Sequence, residues 1–332
     1  MAVHHPAVTA VRSAVRRSLR DLAPGATVLV ACSGGADSLA LVAGAVAARG
    51  TGGWRVVGAT VDHGLQEEST AQADRVVEQM AAIGVDETVR ARVSVQEQGA
   101  GPEAAAREAR YAVLTEMATH FSASAVLLGH TLDDQAETVL LGLTRGAGAR
   151  SLSGMRRSFE VFRRPLLDLT REDTETACLV QGLQVWTDPH NADDRFTRVR
   201  VRSTVLPLLE RELGPGVAAN LARTADQLRT DTAYLDEVAD AALLATLRPD
   251  VPGGLDVAGL AELHAAVRLR VLRLAALGAG SPPAELFTVH LTEVDALVTD
   301  WHGQKWVDLP GHLRAVRRDG VLVLERNTPA PG

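Results

Sequence analysis

A chain of 332 residues has room for two or three domains, and with 46% hydrophobic but only 3% aromatic residues its cores should be helices packed through Ala, Leu and Val. A net charge of −7 excludes a protein that is basic all over, but not a local cationic groove for nucleic acid. Cys32 and Cys178 stand alone without a Cys-x-x-Cys spacing, which removes support for zinc ribbons, iron–sulfur sites and sulfur relays; with no apolar leader and no run near the roughly 18 residues of a membrane span, a soluble cytoplasmic protein with no membrane partner is expected.

Val8, Val11, Val15, Leu19 and Leu22 recur at helical spacing, and Arg12, Arg16, Arg17 and Arg20 lie elsewhere on that helix. We read the arginines as a solvated face, with nucleic-acid contact as the alternative. Pro24-Gly25 breaks the helix ahead of an apolar run, Ala26–Cys32, which gives way to Ser33-Gly34-Gly35-Ala36-Asp37-Ser38 and then to a helical stretch from Leu39. Strand, glycine turn and helix start make an anion site, since the first helical amides and the helix dipole face the ligand. Gly34 and Gly35 let the backbone approach phosphate, and Ser33 and Ser38 add hydroxyl donors. Asp37 is an odd neighbour for a bare anion, so a bridging cation such as Mg²⁺ is expected there. No Gly-Lys-Ser/Thr follows, so this is not a Walker loop. The plain alternative is a serine-rich turn that caps a helix.

The alternation continues. A second apolar run, Val56–Val61, ends in Asp62-His63-Gly64; a polar helix is expected around 69–83, a strand over Thr88–Val95 and a helix over roughly 102–121. A further run, Ala125–Leu128, ends at Gly129-His130. Strands and helices alternating at these lengths predict an α/β fold with a parallel sheet covered on both faces, and ligands in such sheets sit at the carboxyl ends of the strands. Ser33, Asp62, His63 and His130 all fall at strand ends. Thr131–Thr138 then opens a helix on which Asp134 and Glu137, three apart, share a face. Thr131 with Asp134 also fits a capping box, which accounts for one carboxylate but not for Asp133, Asp134 and Glu137 together.

Beyond residue 145 come loop material, a strand running into a turn at Val161–Leu167 and a short helix over 170–182. Residues 195–202 hold four arginines in eight positions, the densest cationic stretch of the chain, for which phosphate or nucleic-acid contact and a plain charged surface are both open readings. From about 215 the chain reads as helical, with Leu221, Ala225, Leu228, Leu235, Val238 and Ala242 near one face of a long helix. Two further helical segments are expected around 257–277 and 283–299, followed by a small hairpin at the end. Gly214-Pro215-Gly216 sets the expected boundary, giving domains 1–214 and 215–332.

These motifs together resemble a known family. Ser-Gly-Gly-x-Asp-Ser after a strand is the pyrophosphatase loop (PP-loop) of N-type ATP pyrophosphatases, a motif shared by GMP, NAD and argininosuccinate synthetases and by tRNA thiolases. Val61-Asp62-His63-Gly64-Leu65, Ala106-Arg107-x-x-Arg110-Tyr111, Gly129-His130 through Thr138, Arg164-Pro165-Leu166-Leu167, and Trp186-x-Asp188-x-x-Asn191 to Thr197-Arg198-x-Arg200 follow in the order found in tRNA(Ile)-lysidine synthases. Gln66, Val199 and Ser203 stand where that family usually has arginine, asparagine and histidine.

The resemblance implies a Rossmann-like, adenine-nucleotide-α-hydrolase-like catalytic domain followed by a smaller, mainly helical one. It implies ATP-dependent attachment of L-lysine to C2 of the wobble cytidine of tRNA(Ile) with a CAU anticodon, through an adenylated cytidine, and dimers in some members. It assigns Ser33, Gly34, Gly35, Ala36, Asp37, Ser38, Asp62, His63 and Gly129 to ATP, with Asp37 near Mg²⁺. Asp37, Arg110, His130, Asp134, Glu137 and Arg198 or Arg200 become the catalytic and lysine-site candidates. The rival readings are a tRNA 2-thiolation enzyme, a small-molecule amidating ligase and an ATP sensor without chemistry.

Overall fold

The computed structural model describes residues 5–62, 69–92, 102–145, 148–186 and 193–327. Contacts between Cα atoms divide the chain into two units, Met1–Gln227 and Leu228–Gly332.

In the first unit, α1 (Pro6–Leu19) begins with a proline in its first turn and a His5 side chain that accepts from the Ala7 amide. β1 (Thr27–Ala31) leads through the glycine turn into α2 (Ala36–Gly52), then β2 (Arg55–Asp62), α3 (Ser69–Ile83) and β3 (Glu87–Arg92). α4 (Pro102–His120), β4 (Ala123–Leu127), α5 (Leu132–Thr144) and the single turn α6 (Ala149–Leu152) follow. A short antiparallel pair, β5 (Ser158–Phe159) and β6 (Phe162–Arg163), turns at Glu160, whose φ is +48°. α7 (Arg171–Gln181), α8 (Thr197–Arg200) and α9 (Leu206–Leu213) complete the unit, together with the start of α10 (Val217–Thr246).

The sheet runs β3-β2-β1-β4-β6-β5, and every pair except β5–β6 is parallel. Successive residues of β1 feed opposite cores, as a strand's alternation requires. Val28 and Val30 join α1, α2 and α7 through Val11, Val15, Leu41 and Ala177, whereas Leu29 joins Leu114, Met117 and Phe162 on the other face. Because β2 and β4 flank β1 on opposite sides, the direction of strand addition reverses at β1, and a crevice opens at the carboxyl ends there. The glycine turn after β1 and Gly129-His130 after β4 line that crevice.

The second unit contains β7 (Gly254–Asp256), α11 (Val257–Glu262), α12 (Ala265–Gly278), α13 (Thr288–Thr299), β8 (Val307–Leu309), β9 (Leu313–Arg318) and β10 (Val321–Arg326). The expected hairpin is β9–β10, but it is the middle of a four-stranded antiparallel sheet of order β7-β10-β9-β8. β7 is only three residues long and starts on a glycine, too short to register as a strand pattern. The expected helix over 257–277 is two helices, because His264 leaves helical geometry and its ring accepts from the Ala266 amide to start α12 afresh. Leu255, Leu260, Val271, Leu272, Leu297 and Leu322 form this unit's core.

Candidate active site

The loop between β1 and α2 is built to leave amides free. Gly35 is the N-cap of α2 and supplies no side-chain cap, so the first amides of the helix keep their donors. Gly34 has φ +86°, and a Cβ there would lie 2.7 Å from Val76 Cγ2, so only glycine fits. Among the described residues, a Cβ at Gly35 would meet only Ser33 Oγ, at 3.8 Å. Ser38 Oγ donates to the Gly35 carbonyl at 2.9 Å, accepts from the Ser33 amide at 3.1 Å and lies 3.4 Å from Ser33 Oγ. The Trp186 amide donates to the Gly34 carbonyl at 3.0 Å and pins the far side of the loop.

Gly129 is held by packing. A Cβ at that position would fall 3.1 Å from the carbonyl carbon and oxygen of Asp37. It therefore lets the end of β4 press against the start of α2. Asp62, buried at the end of β2, accepts from the Thr70 hydroxyl at 3.2 Å; His63 lies outside the described residues.

Asp37, on the first turn of α2, accepts from the Thr174 hydroxyl and lies 3.5 Å from Arg171 Nε. Burial pushes its carboxyl above the usual range, and Thr174 and Arg171 offset this only in part. Across the crevice Asp134 does two jobs. One oxygen accepts from the Thr131 amide at 2.8 Å, as the capping reading anticipates, and the other takes Arg171 Nη2 at 3.2 Å and Arg202 Nη2 at 3.1 Å. Burial raises its pKa, but Arg171, the Thr131 amide, His130 and Arg202 together outweigh this and hold it below the usual carboxylate range. Glu137 is fully buried and takes Arg202 through both oxygens, at 2.6 and 3.0 Å, with Arg171 Nη1 and Arg198 Nε each at 3.8 Å. Three carboxylates thus face three guanidinium groups, which balances the charge of the cluster.

Burial also pulls His130 down to about 3, so the ring is neutral at physiological pH. Its Nδ1 is buried with no hydrogen-bond partner among the described residues, a polar atom left over at the mouth of the sheet. Arg110, on α4, stands within electrostatic range of Arg107 and Arg198 and forms no ion pair among the described residues. Arg200 is not brought to the cluster. It turns back onto its own loop and donates to the Asp194 and Arg195 carbonyls at 2.6 and 2.9 Å.

A PP-loop domain family matches residues 8–209, and a TilS substrate binding domain family matches residues 255–323. The tRNA(Ile)-lysidine synthase of Thermobifida fusca is 51% identical over 96% of this chain and 98% of its own length. That of Salinispora arenicola is 52% identical over 98% of each. The chain belongs to the tRNA(Ile)-lysidine synthase family. A solved structure of the U34-tRNA thiolase NcsA from Methanococcus maripaludis with its [4Fe-4S] cluster superposes with a TM-score of 0.56 at 18% identity, over 67% of this chain and 79% of that one, which shows a shared PP-loop fold.

Sequence reasoning missed three groups, all outside the quoted motifs, that the structure brings to the cluster: Arg171, Thr174 and Arg202. Arg171 opens α7, and its own amide donates to Asp133 at 2.7 Å, so that Asp133 orients the helix that carries the guanidinium. Arg202 had a readable signal. It lies four residues after Arg198 and so on the same helical face, from which Arg200 points away.

Proposed function

We propose that this chain joins L-lysine to C2 of the wobble cytidine of a CAU-anticodon tRNA(Ile), at the expense of ATP cleaved between its α and β phosphates. The observation that carries the reading is the convergence of Asp37, Asp134 and Glu137 with Arg171, Arg198 and Arg202 beside an uncapped helix start.

Ser33, Ser38 and the amides of Gly34, Gly35 and Ala36 hold the ATP polyphosphate, with Asp62, His63 and Gly129 completing the nucleotide site. The donor set fits Mg²⁺ carried on phosphate oxygens, since Asp37 is a single carboxylate at the helix start and such ions keep most of their other ligands as water and phosphate; when bound, Mg²⁺ neutralises charge on the leaving pyrophosphate. Cytidine O2 attacks the α-phosphorus, the new P–O bond forms as the α–β bridge breaks, and the electron pair leaves with pyrophosphate. Arg110 and Arg198 stabilise the charge that develops there, and the unpartnered His130 Nδ1 is placed to take up a polar contact from the nucleotide or base. The ε-amine of lysine then attacks C2, and AMP leaves with the C–O electron pair. Lysine arrives as an ammonium with a pKa near ~10.4 and must attack as an amine. Asp134 and Glu137, paired with Arg171 and Arg202, both attract the cation and accept its proton.

The thiolation reading lacks ligands, because a cysteine-held cluster needs three or four thiolates and the whole chain has two cysteines, both buried. Asp134→Asn and Glu137→Gln separate the steps. In one or both, the lysine KM should rise or lysine transfer slow by roughly tenfold or more, with tRNA-dependent pyrophosphate release largely kept. Unchanged lysine kinetics in both variants would sink the assignment, and pyrophosphate release without tRNA would favour a small-molecule ligase.

A further inference from the structure

The first twenty residues hold four arginines and no carboxylate, which leaves −11 of charge on the remaining 312 residues of this −7 chain. All four arginines lie on α1 and its C-cap. At 100° per residue Arg12, Arg16, Arg20 and Arg17 fall within an arc of about 140° that starts beside the buried stripe of Val8, Val11, Val15 and Leu19, at Arg12, and runs away from it to Arg17. Arg16, Arg17 and Arg20 are exposed and Arg12 is half-buried. None of the four forms an ion pair among the described residues, whereas arginines elsewhere in this unit, such as Arg49, Arg55, Arg90, Arg157 and Arg163, do. Arg12, Arg16 and Arg20 also repel one another at successive i, i+4 spacings, and the helix dipole relieves only those in its last turn.

We propose that the outward face of α1 docks the phosphodiester backbone of the tRNA substrate. The inference rests on the proposed function for its partner, and on charge complementarity for its place. Arg12, Arg16 and Arg20 follow one another about 6 Å apart along the axis, the rise of four helical residues, with Arg17 beside them and with Thr9 one turn before and Ser13 within the row as further hydroxyl donors. The face carries no Leu, Phe or Trp, so it lacks the apolar half that an interfacial membrane helix needs. In an otherwise acidic protein such a stripe orients a polyanion as well as attracting it.

The test is a full-length variant with Arg12, Arg16, Arg17 and Arg20 all changed to Gln, its fold checked by thermal melting, and tRNA binding measured between 50 and 200 mM salt. Each lost phosphate contact removes roughly 0.7–0.9 from the slope of log K against log salt, so the slope should fall by about 3 and affinity at low salt by at least ~10-fold. The loss should be equal for cognate and non-cognate tRNA, because phosphate contacts carry no sequence. A variant with wild-type affinity and slope overturns the proposal and leaves the proposed function standing. A loss confined to cognate tRNA, or lost binding to phosphatidylserine vesicles with tRNA binding kept, also overturns it. A wild-type protein that binds no tRNA contradicts the proposed function itself.

Discussion

Two arginines two residues apart show how finely the site is set. Arg202 clamps Glu137 through both oxygens and reaches Asp134, whereas Arg200 satisfies carbonyls of its own loop. Arg202→Ala would leave Glu137, which is fully buried, short of its closest counter-charge and spoil the base that lysine must meet. Lysidine formation should fall by roughly 10²–10³-fold in Arg202→Ala, measured as label transferred per minute at saturating substrates. Arg200→Ala should stay within a few-fold of wild type. Equal losses in the two variants would contradict the geometry. By resemblance the sequence pointed to Arg198 or Arg200 of this stretch as a site residue. Arg202 was separable from Arg200 only by helical phase, and Arg171 was not readable at all, because nothing local to α7 announces that its first residue meets α2 and α5.

At the scale of elements, the site exists because three helices start or bend around one sheet end. Between α8 and α9 the chain widens into a π-turn over Val201–Val205, where the Leu206 amide donates to the Val201 carbonyl five residues back. Pro207 explains the widening. A regular helix would drive its ring against the Ser203 carbonyl and leave that carbonyl without its amide. α7 buttresses the loop from the side, with Arg171 and Thr174 on Asp37 and the Cys178 thiol on the Ala36 carbonyl at 3.3 Å. The β4 end touches the same helix start through Gly129. Gly129→Ala should therefore push α2 by a few tenths of an ångström, lower stability by about 1–3 kcal/mol and weaken ATP binding, measurable by urea unfolding and nucleotide titration. A variant with wild-type stability and ATP affinity would mean that this contact gives way freely. The parallel sheet and the polar residues at its strand ends were legible because β1, β2 and β4 lie in largely apolar runs followed by polar residues; the strand order was not, since β3 alternates charged and apolar residues. The four-stranded sheet of the second unit was not, because β7 and β8 are three residues each and owe their pairing to β9 and β10.

Over the whole molecule, membership of the lysidine-synthase family extends through nearly the full length, with one matched region in the PP-loop unit and another in the unit that follows. Charge is distributed unevenly across it. In an acidic chain, one group of arginines is balanced by carboxylates in the crevice and another, on α1, forms no ion pair among the described residues. No helix among the described residues is long and apolar enough to cross a membrane. ATP-dependent placement of lysine on one tRNA is tested most directly with purified protein, ATP, radiolabelled lysine and total tRNA, the labelled tRNA being isolated and sequenced. Label is expected in a single isoleucine acceptor with a CAU anticodon, on the wobble cytidine, and none without ATP. Label in several acceptors, in methionine tRNA, or in a product formed without tRNA would contradict it.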